Sequence, residues 1–267
     1  MVKPDFQTII DSLIGMTVPA PSSGTLSGHA AGEPFDKLVY SELKRLYPAN
    51  AYRQFEYLNK LYLSNLEKAG LDRFNLFDSE VAKFLLKRGE AETRNWSPSN
   101  MFEEKQNDTA DNLFVNEEGP LNKYDIIDIK TKNESKHAQP PNIISALKLA
   151  GACDIMIKNK EYDRVSIHYI CIDWKKDNSV LRCTGGQHAD LFKSDPTKLY
   201  INWAAALQIQ FDVHDLPQSY SKDQESWCYQ YLAHFVESAE RRVQEMEKKM
   251  IEPFRKYRIE RGLMRFN

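Results

Sequence analysis

The sequence predicts an α/β protein that ends in a long helix. Three patterns carry this. Two strand-type runs, 111–116 and 123–131, flank the turn cluster Asn116 to Asn122, which holds Gly119 and Pro120. Apolar residues at helical spacing precede that hairpin, as in Phe6, Ile9, Ile10 and Leu13, and again in Val81, Phe84 and Leu85. Finally, Glu225 to about Gly262 reads as one long helix interrupted at Pro253. The 267 residues suffice for one large domain or two small ones, and 42% hydrophobic residues supply a core.

The hairpin organises the chain. Two strands joined by a short polar connection pair antiparallel. Folded symmetrically about Gly119-Pro120, Asn116 faces Lys123, Phe114 faces Asp125 and Asp111 faces Asp128. Lys130, two residues beyond Asp128, shares that face. Directly opposed like charges repel, so two carboxylates aimed at one point signal a divalent cation. Mg²⁺ is held by one or two carboxylates with waters and substrate phosphates, and the matching chemistry is phosphodiester hydrolysis. A metal neutralises phosphate charge and acidifies a bound water, while the lysine orients that water or stabilises developing charge. An Asp, a gap and Asp-x-Lys also arise by chance in chains with 28% charged residues. The pattern alone therefore leaves a solvated hairpin open.

Composition narrows the classes. A net charge of -2 argues against bulk electrostatic coating of DNA, although not against a local basic groove. Cys153, Cys171, Cys183 and Cys228 form no CxxC pair and no zinc spacing, and read as reduced, buried thiols of an intracellular protein. The N-terminus lacks a long apolar run, so no signal peptide is evident. No segment approaches ~18 uninterrupted apolar residues, so no membrane span is expected.

Taken in order, Asp5 to Met16 reads as a short amphipathic helix. Pro19 to Gly32 is a Pro, Ser and Gly loop whose glycines permit close approach to a phosphate, an ordinary connector being the simpler reading. Pro34 suits the first turn of a helix reaching about Tyr47. Glu33 at its mouth is either an accessory metal ligand or, more simply, a partner of the helix dipole. Arg53 to Ala69 and Ser79 to Arg88 read as helices, Ser79 being the N-cap of the second, and Trp96 reads as core.

Past the hairpin, Pro140 and Pro141 stiffen a segment leading into a helix from about Asn142 to Lys158. Asn142 suits its N-cap, yet Gln139 and Asn142 also carry amides that read adenine. Val165 to Trp174 reads as a strand, with Val180 to Cys183 as its partner. His168 and His188 lack a partner at ligand spacing and read as structural or solvated. Leu199 to Ala206 leads into an alternating strand, Leu207 to Val213. Its three alanines suit close approach to bases or tight packing equally. From Arg241 to Asn267, nine Lys or Arg against four Glu make the tail basic, either as a solvated helix face or as a contact for the DNA backbone.

Several stretches together resemble type II restriction endonucleases of the PD-(D/E)xK nuclease superfamily: Ser23 to Phe35, Phe102 to Asp111, Pro141 to Ala146 and Leu199 to Gln210. They spread over most of the chain. The resemblance implies a single endonuclease domain, residues 1–267, with a restriction-endonuclease-like central mixed β-sheet flanked by helices. It implies a Mg²⁺-dependent homodimer that cuts double-stranded DNA at the palindrome GTYRAC, leaving blunt ends. It further implies a bacterial cytoplasmic location and a functional pairing with a cognate DNA methyltransferase. Asp111, Asp128 and Lys130 fall on the family's catalytic triad, with Asp111 and Asp128 as metal ligands. Gln139 falls on a glutamine that pushes into the DNA stack, Asn142 and Asn202 on base-contacting asparagines, and Gln106 on a DNA-contacting glutamine. Ala138 and Tyr200 belong to the same DNA-contacting set. Two departures accompany the match: the hairpin between Asp111 and Asp128 is longer, and Glu90 stands where the family carries a lysine.

Two other readings share these residues. One is a structure-specific repair or junction nuclease with the same metal site. The other is a non-catalytic DNA-binding protein whose carboxylates are structural. The amides of Gln139, Asn142 and Asn202 favour base readout over junction shape.

Overall fold

The computed structural model describes residues 3–20, 29–67, 73, 75–106, 108–117, 120–135, 140–204 and 207–260. In chain order the elements are α1 (Phe6–Leu13), β1 (Thr17–Pro19), α2 (His29–Leu46), β2 (Ala51–Tyr52), α3 (Gln54–Leu63), α4 (Glu80–Leu86) and α5 (Glu90–Asn95). There follow β3 (Asn112–Asn116), β4 (Lys123–Asn133), β5 (Asn142–Ser145), α6 (Ala146–Asn159), β6 (Val165–Asp177) and β7 (Val180–Asp190). The last are β8 (Tyr200–Asn202), β9 (Gln208–Gln210), α7 (Gln224–Met246) and α8 (Arg255–Glu260).

Six strands form a mixed sheet in the order β1-β7-β6-β4-β3-β2. Within it β4 and β6 run parallel while the other neighbours are antiparallel. The β4–β6 connection contains α6, the kind of crossover that parallel pairing requires. A second sheet of three short strands has the order β5-β9-β8.

Strand alternation sorts the apolar residues onto two faces. Leu113, Val115, Tyr124, Ile126, Val165, Ile167 and Tyr169 pack against α4, α6 and α7. Phe114, Ile127, Ile129, Ile170, Ile172 and Trp174 pack against α1 and α2. Ile143, Ile144, Ile201 and Ile209 of the small sheet join the first of these clusters, so both sheets share a core.

Local chemistry explains most boundaries. Asp5 caps α1 by accepting from Thr8 N–H, and the predicted apolar stripe Phe6, Ile9, Ile10 and Leu13 is buried. Ser79 caps α4 as expected. The helix expected from Asn142 begins instead at Ala146, with Ser145 as its cap, and Asn142 opens a strand. Ile143 and Ile144 are buried in that strand, in the core shared by both sheets. The alternating run at 207–213 is a strand over Gln208–Gln210, because Asp212 caps a short 3₁₀ turn at Val213–Asp215. The terminal helix holds its α form over Gln224–Met246, then passes through a π turn at Glu247–Ile251 before Pro253. No helix among the described residues is long and apolar enough to cross a membrane.

β6 and β7 change register between Asp173 and Trp174. There the backbones press together: a Cβ on Gly186 would stand 2.5 Å from the carbonyl oxygen of Cys171. Main chain cannot yield as a flexible side chain does. Gly186→Ala is therefore expected to destabilise the fold by about 1–3 kcal/mol, the cost of overpacking. An unchanged thermal midpoint would contradict that close approach.

Candidate active site and DNA-reading surface

Asp111 lies one residue before β3, and Asp128 and Lys130 lie in β4. The β3–β4 register pairs Asn116 with Lys123, Phe114 with Asp125 and Asn112 with Ile127. One further step sets Asp111 across from Asp128. Alternation gives all three side chains the face of Leu113, Val115, Tyr124 and Ile126, toward α6. The symmetric fold about Gly119-Pro120 thus holds along the whole ladder, and the longer hairpin does not disturb it; Gly119 itself lies outside the described residues.

The site is charged and half-buried. Lys130 Nζ lies 2.7 Å from Asp128 Oδ2, with side chains 19% and 16% exposed. The Ile129 N–H donates to Asp111 Oδ2 at 2.7 Å. Burial, and then the neighbouring Asp128 charge, push the Asp111 carboxyl up to about 7, against the pull of the Ile129 N–H and Lys130. Two carboxylates with one lysine, paired to Asp128, leave negative charge uncompensated. That donor set of hard oxygens suits a divalent cation such as Mg²⁺.

A support lies behind Asp111 that sequence reasoning missed. Arg53 Nη1 donates to the Asp111 carbonyl at 3.0 Å and to both Asp36 oxygens at 2.6 and 2.7 Å. Asn112 Nδ2 donates to Asp36 Oδ1 at 3.0 Å. Burial pushes the Asp36 carboxyl up while Arg53 pulls it down, and the Asp111 charge adds to the upward push. Glu33, the accessory candidate, pairs with Lys37 at 2.6 Å on an exposed face. Glu90 pairs with Arg94.

The base-reading candidates gather on the small sheet. Asn142 is on β5, and Tyr200 and Asn202 are on β8. Gln210 of β9 ties them together: its Nε2 donates to Asn142 Oδ1 at 2.7 Å, and its Oε1 accepts from Asn202 Nδ2 at 2.9 Å. Tyr200 is 62% exposed. Beside it a cleft of about 350 Å³ is lined by Tyr200, Asn202, Trp203, His234, Arg241 and Arg242. The start of the basic C-terminal stretch therefore lies next to the candidate readers. Gln106 is exposed in the segment leading to Asp111, away from this sheet in sequence. Ala138 and Gln139 lie outside the described residues. His168 and His188, unpaired by sequence spacing, meet across β6 and β7, with Nδ1 of one 3.0 Å from Nε2 of the other.

The mixed, curled sheet with flanking helices and a long C-terminal helix is of the restriction-endonuclease-like α/β class. The family model described as restriction endonuclease HincII matches residues 9–258, and the chain belongs to that family of nucleases. It is 51% identical over 257 residues to the type II restriction enzyme HindII of Haemophilus influenzae, covering 96% of this chain and 98% of the relative. The type II restriction enzyme HincII of Haemophilus influenzae matches with the same identity and coverage.

Proposed function

We propose that the chain is a type II restriction endonuclease that hydrolyses both strands of DNA at GTYRAC, leaving blunt ends, with Mg²⁺ as cofactor. The observation that carries this is the pair Asp111 and Asp128, opposed on one sheet face with Lys130 against Asp128. Asp111 and Asp128 would hold the ion. Bound there, Mg²⁺ neutralises phosphate charge and acidifies a water. Lys130 orients the attacking water and stabilises the charge that develops on the phosphate. The Ile129 N–H, through Asp111 Oδ2, fixes the direction of one carboxylate.

Asn142 and Asn202 read base edges, Tyr200, Ala138 and Gln106 contact the DNA, and Gln139 enters the stack at the central pyrimidine-purine step. Such steps unstack easily, so deformation contributes to selection. A palindrome has two equivalent half-sites, which a two-fold homodimer matches. We take the chain as one domain acting in the bacterial cytoplasm, where a cognate methyltransferase protects host sites without forming a stable complex.

The test is a plasmid digest with Mg²⁺ followed by sequencing of the ends. Discrete fragments with blunt ends at GTYRAC are expected. Cutting confined to junctions would favour a repair nuclease, and no cutting would leave a DNA-binding protein.

Gln210→Leu probes the reading surface. It removes the bridge between Asn142 and Asn202, so Asn142 loses the bond from Gln210 that directs its amide, and Asn202 keeps the bond from the Ala204 N–H but loses its link to β9. Discrimination between duplexes differing in one base pair should fall by about 1–3 kcal/mol, the worth of a good base contact. Competition binding that matches the parent would remove the small sheet from recognition.

A further inference from the structure

Past Lys130 on the same sheet face lies a second cluster, built from different donors. In the β4–β6 register Cys171 pairs with Lys130 and Asp173 with Lys132. His214 comes from the 3₁₀ turn that follows β9. One ligand atom from each of Cys171, Asp173 and His214 lies within 4.8 Å of the others. We infer that Cys171, Asp173 and His214 form a three-ligand site for a thiophilic divalent transition metal of the zinc class.

Four observations support it. First, His214 is set between carboxylates on both sides: Nδ1 is 3.0 Å from Asp212 Oδ1, and Nε2 is 2.8 Å from Asp173 Oδ2. An Nδ1–H donated to Asp212 leaves Nε2 with a lone pair facing an anion, unless a proton or a metal ion lies between them. A carboxylate behind a ligating histidine is the usual support of a zinc site. Lys132 Nζ holds that supporting carboxylate, at 2.7 Å from Asp212 Oδ2. Second, Asp173 Oδ1 is buried with no hydrogen-bond partner among the described residues. A buried carboxylate oxygen without a partner is costly, and a metal ion would satisfy it. Third, the cross-strand neighbour of Asp173 is Gly185, so no directly opposed side chain of β7 covers the carboxylate. Fourth, Cys171 is a free, buried thiol; with its proton released to solvent on metal binding, it and the Asp173 carboxylate together neutralise a divalent ion.

The donors choose the metal. Zinc binds thiolate sulfur at about 2.3 Å and imidazole nitrogen at about 2.0 Å, in tetrahedral sites. Its ligand atoms therefore sit about 3.5 Å apart, against the 4.8 Å within which the three candidate atoms lie here. Mg²⁺ demands hard oxygens in octahedral array and does not suit a set containing sulfur and nitrogen. The fourth position is left to water.

The site joins two parts of the molecule. Cys171 and Asp173 belong to the large sheet, while His214 follows directly on the strand whose Gln210 braces Asn142 and Asn202. A bound ion pins the small sheet to the large one. The inference concerns metal binding alone and holds whatever DNA sequence the protein cuts.

The experiment is titration of the metal-stripped full-length protein with Co²⁺, followed by near-ultraviolet absorption. The expected result is a thiolate-to-cobalt charge-transfer band that saturates at one equivalent per chain. Zn²⁺ should bleach it and Mg²⁺ should not. Cys171→Ser and His214→Ala should lose the band, whereas Cys183→Ser keeps it. Circular dichroism checks that each variant is folded, and His214→Ala serves should Cys171→Ser fail to fold. No band in the parent, or a band that survives in a folded Cys171→Ser or His214→Ala protein, overturns the inference. Mg²⁺-dependent plasmid cutting on the same preparation separates failure of this site from failure of the proposed nuclease activity.

Discussion

Replacing either Asp111 or Asp128 by asparagine is expected to abolish Mg²⁺-dependent cleavage while DNA binding survives. Each variant removes one of the two anionic oxygen donors on the shared face. Metal stabilisation of a transferring phosphoryl group is worth several kcal/mol. Losing about 4 kcal/mol slows the reaction about a thousandfold. Cleavage by either variant within tenfold of the parent would remove these residues from catalysis. A gel shift in Ca²⁺ or without metal tests whether binding persists.

Asp111→Asn has a second expected effect, on stability. The Asp111 carboxyl is raised to about 7 in the folded protein by burial and by Asp128, against about 3.9 for an unfolded aspartate. A raised acid binds its proton more tightly when folded. Stability is therefore fullest below pH ~4 and is lost as pH rises toward ~7. The full shift corresponds to at most about 4 kcal/mol, and solvent screening at a partly exposed site lowers it to about half that. Asparagine cannot ionise, keeps an oxygen for the Ile129 N–H, and offers an N–H to Asp128. Without metal at pH 8, Asp111→Asn should melt above the parent, and the gap should close near pH 4. A variant less stable than the parent at pH 8 would show that Asp111 is not strained by its neighbours.

The hairpin was legible because period two and a Gly-Pro turn define a register locally. Asn116 against Lys123 and Phe114 against Asp125 follow from counting, and they are observed. Once the register is known, the shared face of Asp111, Asp128 and Lys130 is a matter of parity. The stripe of α1 and the Ser79 cap were legible for the same local reason. Asn142 was misread because an asparagine before an apolar run signals a helix cap, and only pairing with Gln210 makes it a strand residue. β1 and β2 were missed because strands of three and two residues carry too little pattern. Asp36 and Arg53 look like solvated charges of amphipathic helices, and their meeting is decided by how α2 packs. Cys171, Asp173 and His214 fit no ligand spacing, since 41 residues separate Asp173 from His214.

Arg53→Met should produce the largest loss of stability among these substitutions. Arg53 is 6% exposed, and its Nη1 bonds both oxygens of an Asp36 side chain that is 17% exposed. Removing one member of a buried pair strands the other charge, at a cost of about 3–5 kcal/mol. For a chain of this size that lowers the thermal midpoint by roughly 10 °C. The double variant Arg53→Met with Asp36→Leu removes both charges and should recover much of the loss, because a well-packed apolar pair replaces a buried ion pair at little cost. Activity should not recover with it. Arg53 also holds the Asp111 carbonyl at 3.0 Å, and neither methionine nor leucine restores that contact. Single-turnover cleavage at a temperature where the double variant is folded separates the two roles. A double variant that is both stable and fully active would make Arg53 a structural residue alone; one that is stable and slow makes it the residue that positions Asp111.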